Sequence, residues 1–592
     1  MTNLKKLFKN PLPSARSGAF FNAFSYPTKI SPESIAVYIA SITKPGDTVL
    51  DAFGGSGSTG VAALLCEYPT DNMKAIAKKI GVKPIWGVRN AVCYEISSYG
   101  SFAMSTIANR LTAKVFDEAV DNYINEVEDV FKEYYFATDP EGDDGIIRHV
   151  IWTEYLTCPD CGEEISYFEY GTKRNPVAFL KEISCHKCGN KHMVDDLDFV
   201  KEEYVDKVLG KKCQRKKRRP AWIYGTTGTK NWNRKASDED YKNYLKVEEK
   251  LSKEKNPKKI EWGELHRSGY HYGIDYLHQF YTARNYYVFK ELWNKTEKYD
   301  KKVQAALKLL LLSYNSSNCT MMTRVVAKKD SKDFVLTGAQ SGVLYISKLP
   351  VEKNILLGLK RKSAPISEAY KMLENCSGRF EVKHASSTHM EETDNTIDYV
   401  FTDPPFGDFI PYAEVNQINE LWLKSRTDRT EEIIISQSQN KKLKEYKCLL
   451  ENVFSEINRV LKDDSYATVV FHASKAAVWA ALTNVISDSG MKVALTNILD
   501  KKQLSFKQVV SSDSVQGDPL LLLQKGRTIC AEEESDEDII SRLIVAQNDE
   551  KINERHIYSL YVNECLIKGR KVTLDARQAY AIIQEEKKNG SK

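Results

Sequence analysis

Residues 47–60, DTVLDAFGGSGSTG, constrain this chain more than any other stretch. Val49 and Leu50 close a short apolar strand, and Asp51 stands at its carboxyl end. Gly54, Gly55 and Gly57 then form a turn whose missing side chains let a ligand approach the backbone. From Ser58 onward, Thr59, Val61, Ala62, Ala63, Leu64 and Leu65 read as the following helix. Strand, glycine turn and helix in succession predict an α/β fold with a nucleotide-binding crevice at the strand ends. Gly55, Gly57 and Gly60 also satisfy the GxGxxG spacing of dinucleotide enzymes, which place a ribose-binding acid roughly 20 residues further on. The best acid here, Glu95 after the apolar Ala91 to Tyr94, lies well beyond that, so the dinucleotide reading loses ground.

A second motif, Asp403-Pro404-Pro405-Phe406, follows the apolar run Ile397 to Thr402. A carboxylate at a strand mouth, two stiffening prolines and an aromatic ring suit a flat base that bears an amino group. Pro404 has no N–H, so the Asp403 carboxylate and the Pro404 carbonyl can both face the amine as acceptors. Phe406 can stack on the ring. Asp-Pro-Pro is equally an ordinary turn sequence.

Three segments now stand in order: FSYPTKISPESI at 24–35, VLDAFGGSGSTG at 49–60 and FTDPPFGDFIPYAEV at 401–415. They resemble motifs X, I and IV of the S-adenosylmethionine-dependent DNA amino-methyltransferases, and more narrowly the adenine-specific methylases that carry a zinc ribbon. The order X, I, long insert, IV is similar to the alpha arrangement of that family. The likeness covers roughly residues 20–115 and 300–527, with Ala52 where proline is common and Ser58 where threonine is common. It implies a Rossmann-like class I methyltransferase core with a seven-stranded mixed sheet. It also implies S-adenosylmethionine as cofactor, double-stranded DNA as partner, and methyl transfer to the exocyclic amine of adenine N6 or, alternatively, cytosine N4. By the same resemblance Asp51, Phe53, Gly54, Gly55, Gly57 and Thr59 face the cofactor, Glu95 accepts from its ribose, and Tyr26 and Lys29 of motif X complete the site. Asp403, Pro404, Pro405 and Phe406 would hold a base flipped out of the helix. An RNA amino-methyltransferase and a catalytically inactive DNA-binding module remain alternatives.

Cys158-Pro-Asp-Cys161-Gly and Cys185-His-Lys-Cys188-Gly are two CxxCG knuckles with 23 residues between them. Two such knuckles converge four thiolates on one ion in a tetrahedral shell, and a closed shell of four cysteines makes a zinc structural. His186 and His192 lie close enough to compete as ligands. Just beyond, residues 211–219, KKCQRKKRR, gather seven basic side chains, with Trp222, Tyr224, Trp232 and Arg234 following. Basic charge interleaved with aromatics suits phosphate, so Arg215, Lys216, Lys217, Arg218 and Arg219 are candidate DNA contacts. A solvated basic loop or a nuclear localisation signal gives the same pattern.

A chain of 592 residues exceeds one core and predicts several domains. The expected layout is a mobile lead at 1–20, a cofactor-binding half at 21–115 and an insert with the ribbon and recognition region at 116–300. A catalytic half at 301–527 follows, then an acidic linker and helical tail at 528–592. With 42% hydrophobic and 28% charged residues and no apolar run near the ~20 needed to span a bilayer, no membrane role is expected. The basic N-terminus lacks an apolar signal core, which together with the resemblance predicts a prokaryotic cytoplasmic enzyme, with restriction or defence proteins as conceivable partners.

Overall fold

The computed structural model describes residues 2–9, 12–14, 18–329, 331–501, 518–527, 534–546 and 554–590. Its central sheet contains β1 (Leu12–Ser14), β2 (Thr48–Asp51), β3 (Asn90–Tyr94), β4 (Phe380–Lys383), β5 (Ile397–Thr402), β6 (Leu461–Val470), β7 (Met491–Lys501) and β8 (Asp518–Lys525). The spatial order is β1-β7-β8-β6-β5-β2-β3-β4. β8 runs antiparallel to β6 and β7, whereas the run from β6 through β5, β2 and β3 to β4 is parallel. The sheet is therefore mixed, as expected, with the short β1 added as an eighth strand beside β7.

Period-2 side-chain alternation divides the interior. Val49, Tyr399, Phe401, Leu520 and Leu522 join the core on one face. Leu50, Val400, Leu521 and Leu523 join the core on the other. Both faces are covered, which is why these strands read as nearly unbroken apolar runs. Helices α1 (Pro32–Ile42), α2 (Ser58–Leu65) and α3 (Ser98–Ala108) belong to the first half of the chain. A Cβ on Gly60 would lie 2.2 Å from the Phe380 ring, so this glycine serves the packing of α2 against β4. Strand order reverses between β2 and β5, and at such a switch point α/β proteins open a crevice for ligands.

Both ends of the chain depart from expectation. Thr2–Leu7 is a helix, Leu7 and Phe8 are buried, and the Phe8 ring meets Tyr38 edge-on, so this part of the lead is docked by two apolar side chains. The tail helices Asp536–Ala546, Glu554–Ile567 and Ala576–Gly590 put Ile539, Ile540, Tyr558, Tyr561, Leu566 and Ile583 into the same core as Leu521 and Trp479. They complete the sheet's second face. Of the acidic linker expected from 528 onward, residues 528–533 lie outside the described residues.

The insert builds its own sheet from Asp144–Thr157, Arg218–Thr227, Lys230–Lys235 and Val351–Lys353. The last strand comes from beyond residue 301, and Val325, Phe334 and Leu349 share its core, so the expected boundary at 300 cuts through a packed unit. The basic run is strand here, not loop. Lys211–Lys216 pairs with Lys201–Asp206, and Arg218 to Thr226 pair with Glu154 to Ile146. Each cation from Arg215 to Arg219 meets a carboxylate. Arg215 bonds Glu202 at 2.8 Å and Glu248 at 3.3 Å, and Arg219 bonds Glu202 at 2.8 Å. Lys216 and Arg218 converge on the buried Glu154 at 3.1 and 2.6 Å, and Lys217 pairs with Glu164. Arg215, Lys216, Lys217, Arg218 and Arg219, expected as DNA contacts, are thus ion-paired cross-links within the insert in this structure.

Candidate active site

The glycine turn after β2 is shaped by packing as much as by ligand clearance. Gly55 and Gly57 have φ of 52° and 80°, in the left-handed region that favours glycine. A Cβ on Gly54 would sit 2.9 Å from Met104 Cε, and one on Gly57 would sit 2.6 Å from Met104 Cγ, so both are needed for close approach to α3. Gly57 accordingly stands outside the cleft wall, where it was expected to face the cofactor. A Cβ on Gly55 would lie 3.1 Å from the Tyr26 ring. Tyr26 is itself stacked between Tyr99 and Tyr412 at centroid distances of 6.3 and 6.1 Å.

Around this turn lies a cleft of about 950 Å³, counted out to bulk solvent. Tyr26, Lys29, Asp51, Phe53, Gly54, Gly55, Thr59 and Glu95 line it, together with Asp403 and Pro405 from the other half of the chain. Asp51 Oδ1 accepts from the Phe53 N–H at 3.0 Å and the Thr402 hydroxyl at 2.7 Å, which ties β2 to β5. Burial raises its pKa. Glu95 Oε2 accepts from the Gly55 N–H and Oε1 from the Ser97 N–H, both at 2.6 Å, and burial pushes its pKa up to about 7. Glu95 therefore clamps the glycine turn to the start of α3 as well as facing the cleft. Lys29 lines the cavity but turns its ammonium onto the carbonyls of Phe20 and, at 3.3 Å, Phe24, and burial lowers its pKa to about 7. It props the motif X loop instead of presenting a charge to the cofactor.

Sequence reasoning missed several residues in this wall. Glu431 and Glu432 line it, and Glu432 accepts from the Ala413 N–H at 2.9 Å and the Gln439 amide at 2.6 Å. Burial raises its pKa. Their only signal was a pair of acids before the apolar Ile433 to Ile435. Thr28, at φ 58°, joins its hydroxyl to the Tyr412 hydroxyl at 3.0 Å. No sequence pattern marks a bond between residues so far apart in the chain.

The DPPF turn leaves β5 and separates this cleft from a second, wider one of about 2700 Å³. Asp403 and Pro405 face the first and Phe406 faces the second, while Pro404 is buried and lines neither. The expected role of the Pro404 carbonyl is thus not apparent in the wall geometry. The turn is pinned by the Tyr446 hydroxyl, which donates to the Pro405 carbonyl at 2.7 Å. In the second cleft Phe406, Phe409 and His472 form a ring cluster with centroid distances of 5.9 to 6.3 Å. Aromatic faces beside an open cavity suit a planar ring ligand.

In the insert, Cys158, Cys161, Cys185 and Cys188 bring their sulfurs within 4.8 Å of one another. The pairs Cys158–Cys188 and Cys161–Cys185 stand 3.7 Å apart. Four thiolates at about 2.3 Å from a tetrahedral zinc would be ~3.8 Å apart, so the residues fit the ion. His192 Nε2 lies 3.7 Å from Cys158 Sγ and 3.2 Å from Asp160, on the edge of the cluster. His186 instead stacks on Tyr170 and meets Glu163. No helix among the described residues is long and apolar enough to cross a membrane.

A family model described as a DNA methylase matches residues 4–98. That stretch holds Tyr26, Asp51, the glycine turn and Glu95, and it supports a methyltransferase. It ends far short of Asp403. No curated protein matches the chain at a significant level. Among solved structures, a SAM-dependent methyltransferase from Methanosarcina mazei aligns over 28% of this chain and 77% of its own at 9% identity, with a TM-score of 0.16. The antibiotic-resistance methyltransferase Kmr aligns over 28% and 73% at 12% identity and a TM-score of 0.15. A variant of the 16S rRNA (adenine(1408)-N(1))-methyltransferase from Catenulisporales acidiphilia aligns over 28% and 72% at 12% identity and a TM-score of 0.16.

Proposed function

We propose that this protein is an S-adenosylmethionine-dependent DNA methyltransferase that acts on the exocyclic amine of a flipped-out base, adenine N6 in preference to cytosine N4. One observation carries the reading: Asp403 and Pro405 of the DPPF turn stand in the same cleft wall as Asp51, Gly55 and Glu95 of the glycine turn. The cleft's charge supports the choice of cofactor. Among the described residues five carboxylates line it, Asp51, Glu95, Asp403, Glu431 and Glu432, against one lysine whose ammonium is turned aside. Such a cleft attracts a cationic sulfonium and repels the pyrophosphate of a dinucleotide.

When bound, the cofactor supplies a methyl group already activated by its sulfonium. The chain's residues must position the amine and keep water out. Asp403 accepts a hydrogen bond from the amino group and so leaves the nitrogen lone pair free to point across the DPPF turn. Phe406, Phe409 and His472 offset the stacking that a base loses on leaving the duplex. The turn itself is held by Tyr446, so the acceptor does not have to reorganise during transfer.

The four-cysteine cluster holds a structural zinc on this reading, and its loss loosens the ribbon because ion binding and folding are coupled. Elemental analysis should return one zinc per chain, and Cys158→Ser should lower that content and the thermal stability together. The enzymatic reading is tested by incubating the protein with labelled S-adenosylmethionine and either duplex DNA or RNA. Digestion to nucleosides should return N6-methyladenine from DNA. Label in N4-methylcytosine corrects the base, label only in RNA corrects the substrate, and no label in either removes the reading.

A further inference from the structure

Among the described residues, two acids and two bases line the wide target cleft, and three of the four are committed. Lys29 donates to the Phe20 and Phe24 carbonyls. Glu264 accepts from Ser436 at 2.8 Å and from the Ser438 N–H at 2.9 Å, and Asp408 pairs with Lys475 at 2.7 Å. The fourth, Arg267, is exposed, and its Nη1 donates to the carbonyls of Glu264 and His266 at 2.9 and 2.7 Å. Those carbonyls orient one edge of the guanidinium without neutralising it.

Arg267 comes from the insert, yet its segment is mounted on the catalytic half. Helix α4 (Tyr412–Glu420) follows the DPPF turn, and its buried Glu414 accepts the N–H groups of Glu264 at 2.6 Å and Leu265 at 2.9 Å. Gly263 is required there, because a Cβ would sit 2.3 Å from Glu414 Oε1. On the other side the Arg267 N–H donates to His271 Nδ1 at 3.0 Å. That leaves Nε2–H to donate to the Leu344 carbonyl at 2.6 Å. The His271 ring stacks on Trp262 at 4.4 Å. These anchors use backbone groups and other side chains, so the segment's placement does not need a charge on residue 267.

We propose that Arg267 is a phosphate contact for the target strand, holding the DNA backbone at the rim of the cleft that receives the flipped base. The proposal rests on the DNA methyl-transfer reading given above. A guanidinium with a free edge matches phosphate oxygens in a fork, which a paired cation cannot do.

The test is binding of wild-type protein and Arg267→Gln to mixed-sequence duplex DNA across a salt series, with steady-state methylation alongside. Losing one duplex phosphate contact should flatten the plot of log affinity against log salt by about 0.9. KM for DNA should rise while KM for the cofactor stays unchanged, which also shows that the variant is folded. Arg267→Lys, which keeps the charge, should recover the slope. An unchanged slope and an unchanged KM for DNA in Arg267→Gln overturn the proposal, as does a slope change seen with single-stranded RNA but not with duplex DNA. A wild-type protein that binds duplex DNA but never methylates it overturns the functional reading instead, and the slope comparison then stands by itself.

Discussion

The cleft around the glycine turn and the insert both concentrate charge and handle it in opposite ways. In the cleft the carboxylates of Asp51, Glu95 and Glu432 are met by backbone N–H groups, a hydroxyl and an amide, and burial pushes all three pKa values up. In the insert every cation of residues 215–219 is met by an acid. Hydrogen bonds satisfy the cleft's oxygens without supplying a counter-charge, so the carboxylates that ionise still attract a cationic ligand. Ion pairs offset most of the strand's charge, five cations sharing four acids, so little remains for an anionic one. The same residue types thus mark a binding site in one region and a structural joint in the other, and the partner decides which.

The comparison breaks most visibly at Asp403. If this carboxylate acts on the target amine, Asp403→Ala should lower kcat by roughly 10²- to 10³-fold, the range for losing one pre-positioned hydrogen-bonding group. Cofactor affinity should change little, since four other acids still line the cleft. Near-normal turnover would return the DPPF turn to an ordinary structural turn.

Next in size is the insert's buried triad. Lys216→Ala with Arg218→Ala leaves Glu154 buried and unpaired, which should cost about 3–5 kcal/mol of stability. Denaturant unfolding measures this. A double variant as stable as the wild type, with a flattened salt dependence of DNA binding, would restore the strand to the role of DNA clamp.

What the sequence disclosed follows the range of the interactions involved. The strand, glycine turn and helix at 47–65, the position of DPPF after β5 and the cysteine knuckles are set within short windows, by alternation and spacing, whereas the mixed sheet was implied only by the family resemblance. The ion pairing of residues 215–219 was not legible, because their partners Glu154, Glu164, Glu202 and Glu248 are brought together by strand and helix pairing. Lys29 shows the same limit, since its ammonium answers to two backbone carbonyls, which carry no sequence signal. Arg267 looks like any surface arginine until Glu414 and His271 are seen to hold its segment. The tail was expected to be helical, but the sheet face it covers was not legible.

Glu95 gives the smallest effect and the sharpest test of the cleft, because it does two jobs with one carboxylate. Its oxygens already accept the Gly55 and Ser97 N–H groups, and each keeps a second lone pair for a ribose hydroxyl. Removing a hydrogen bond to a charged acceptor costs about 1.5–3 kcal/mol, so Glu95→Gln should raise the cofactor dissociation constant roughly tenfold or more. The pH dependence separates the ligand role from the clamp. Burial raises the folded pKa to about 7 from the ordinary carboxylate range, so between about 4.5 and 7 the folded protein holds a proton that the unfolded chain has lost. Glu95's contribution to stability is therefore fully present at the acid end and declines as pH rises towards 7. Cofactor affinity should move the other way, strengthening as Glu95 ionises through about pH 7 and becomes the better acceptor. Calorimetric titration across that window should show the rise in the wild type and a flat profile in Glu95→Gln. A wild-type affinity that does not vary with pH would leave Glu95 as a clamp on the glycine turn alone.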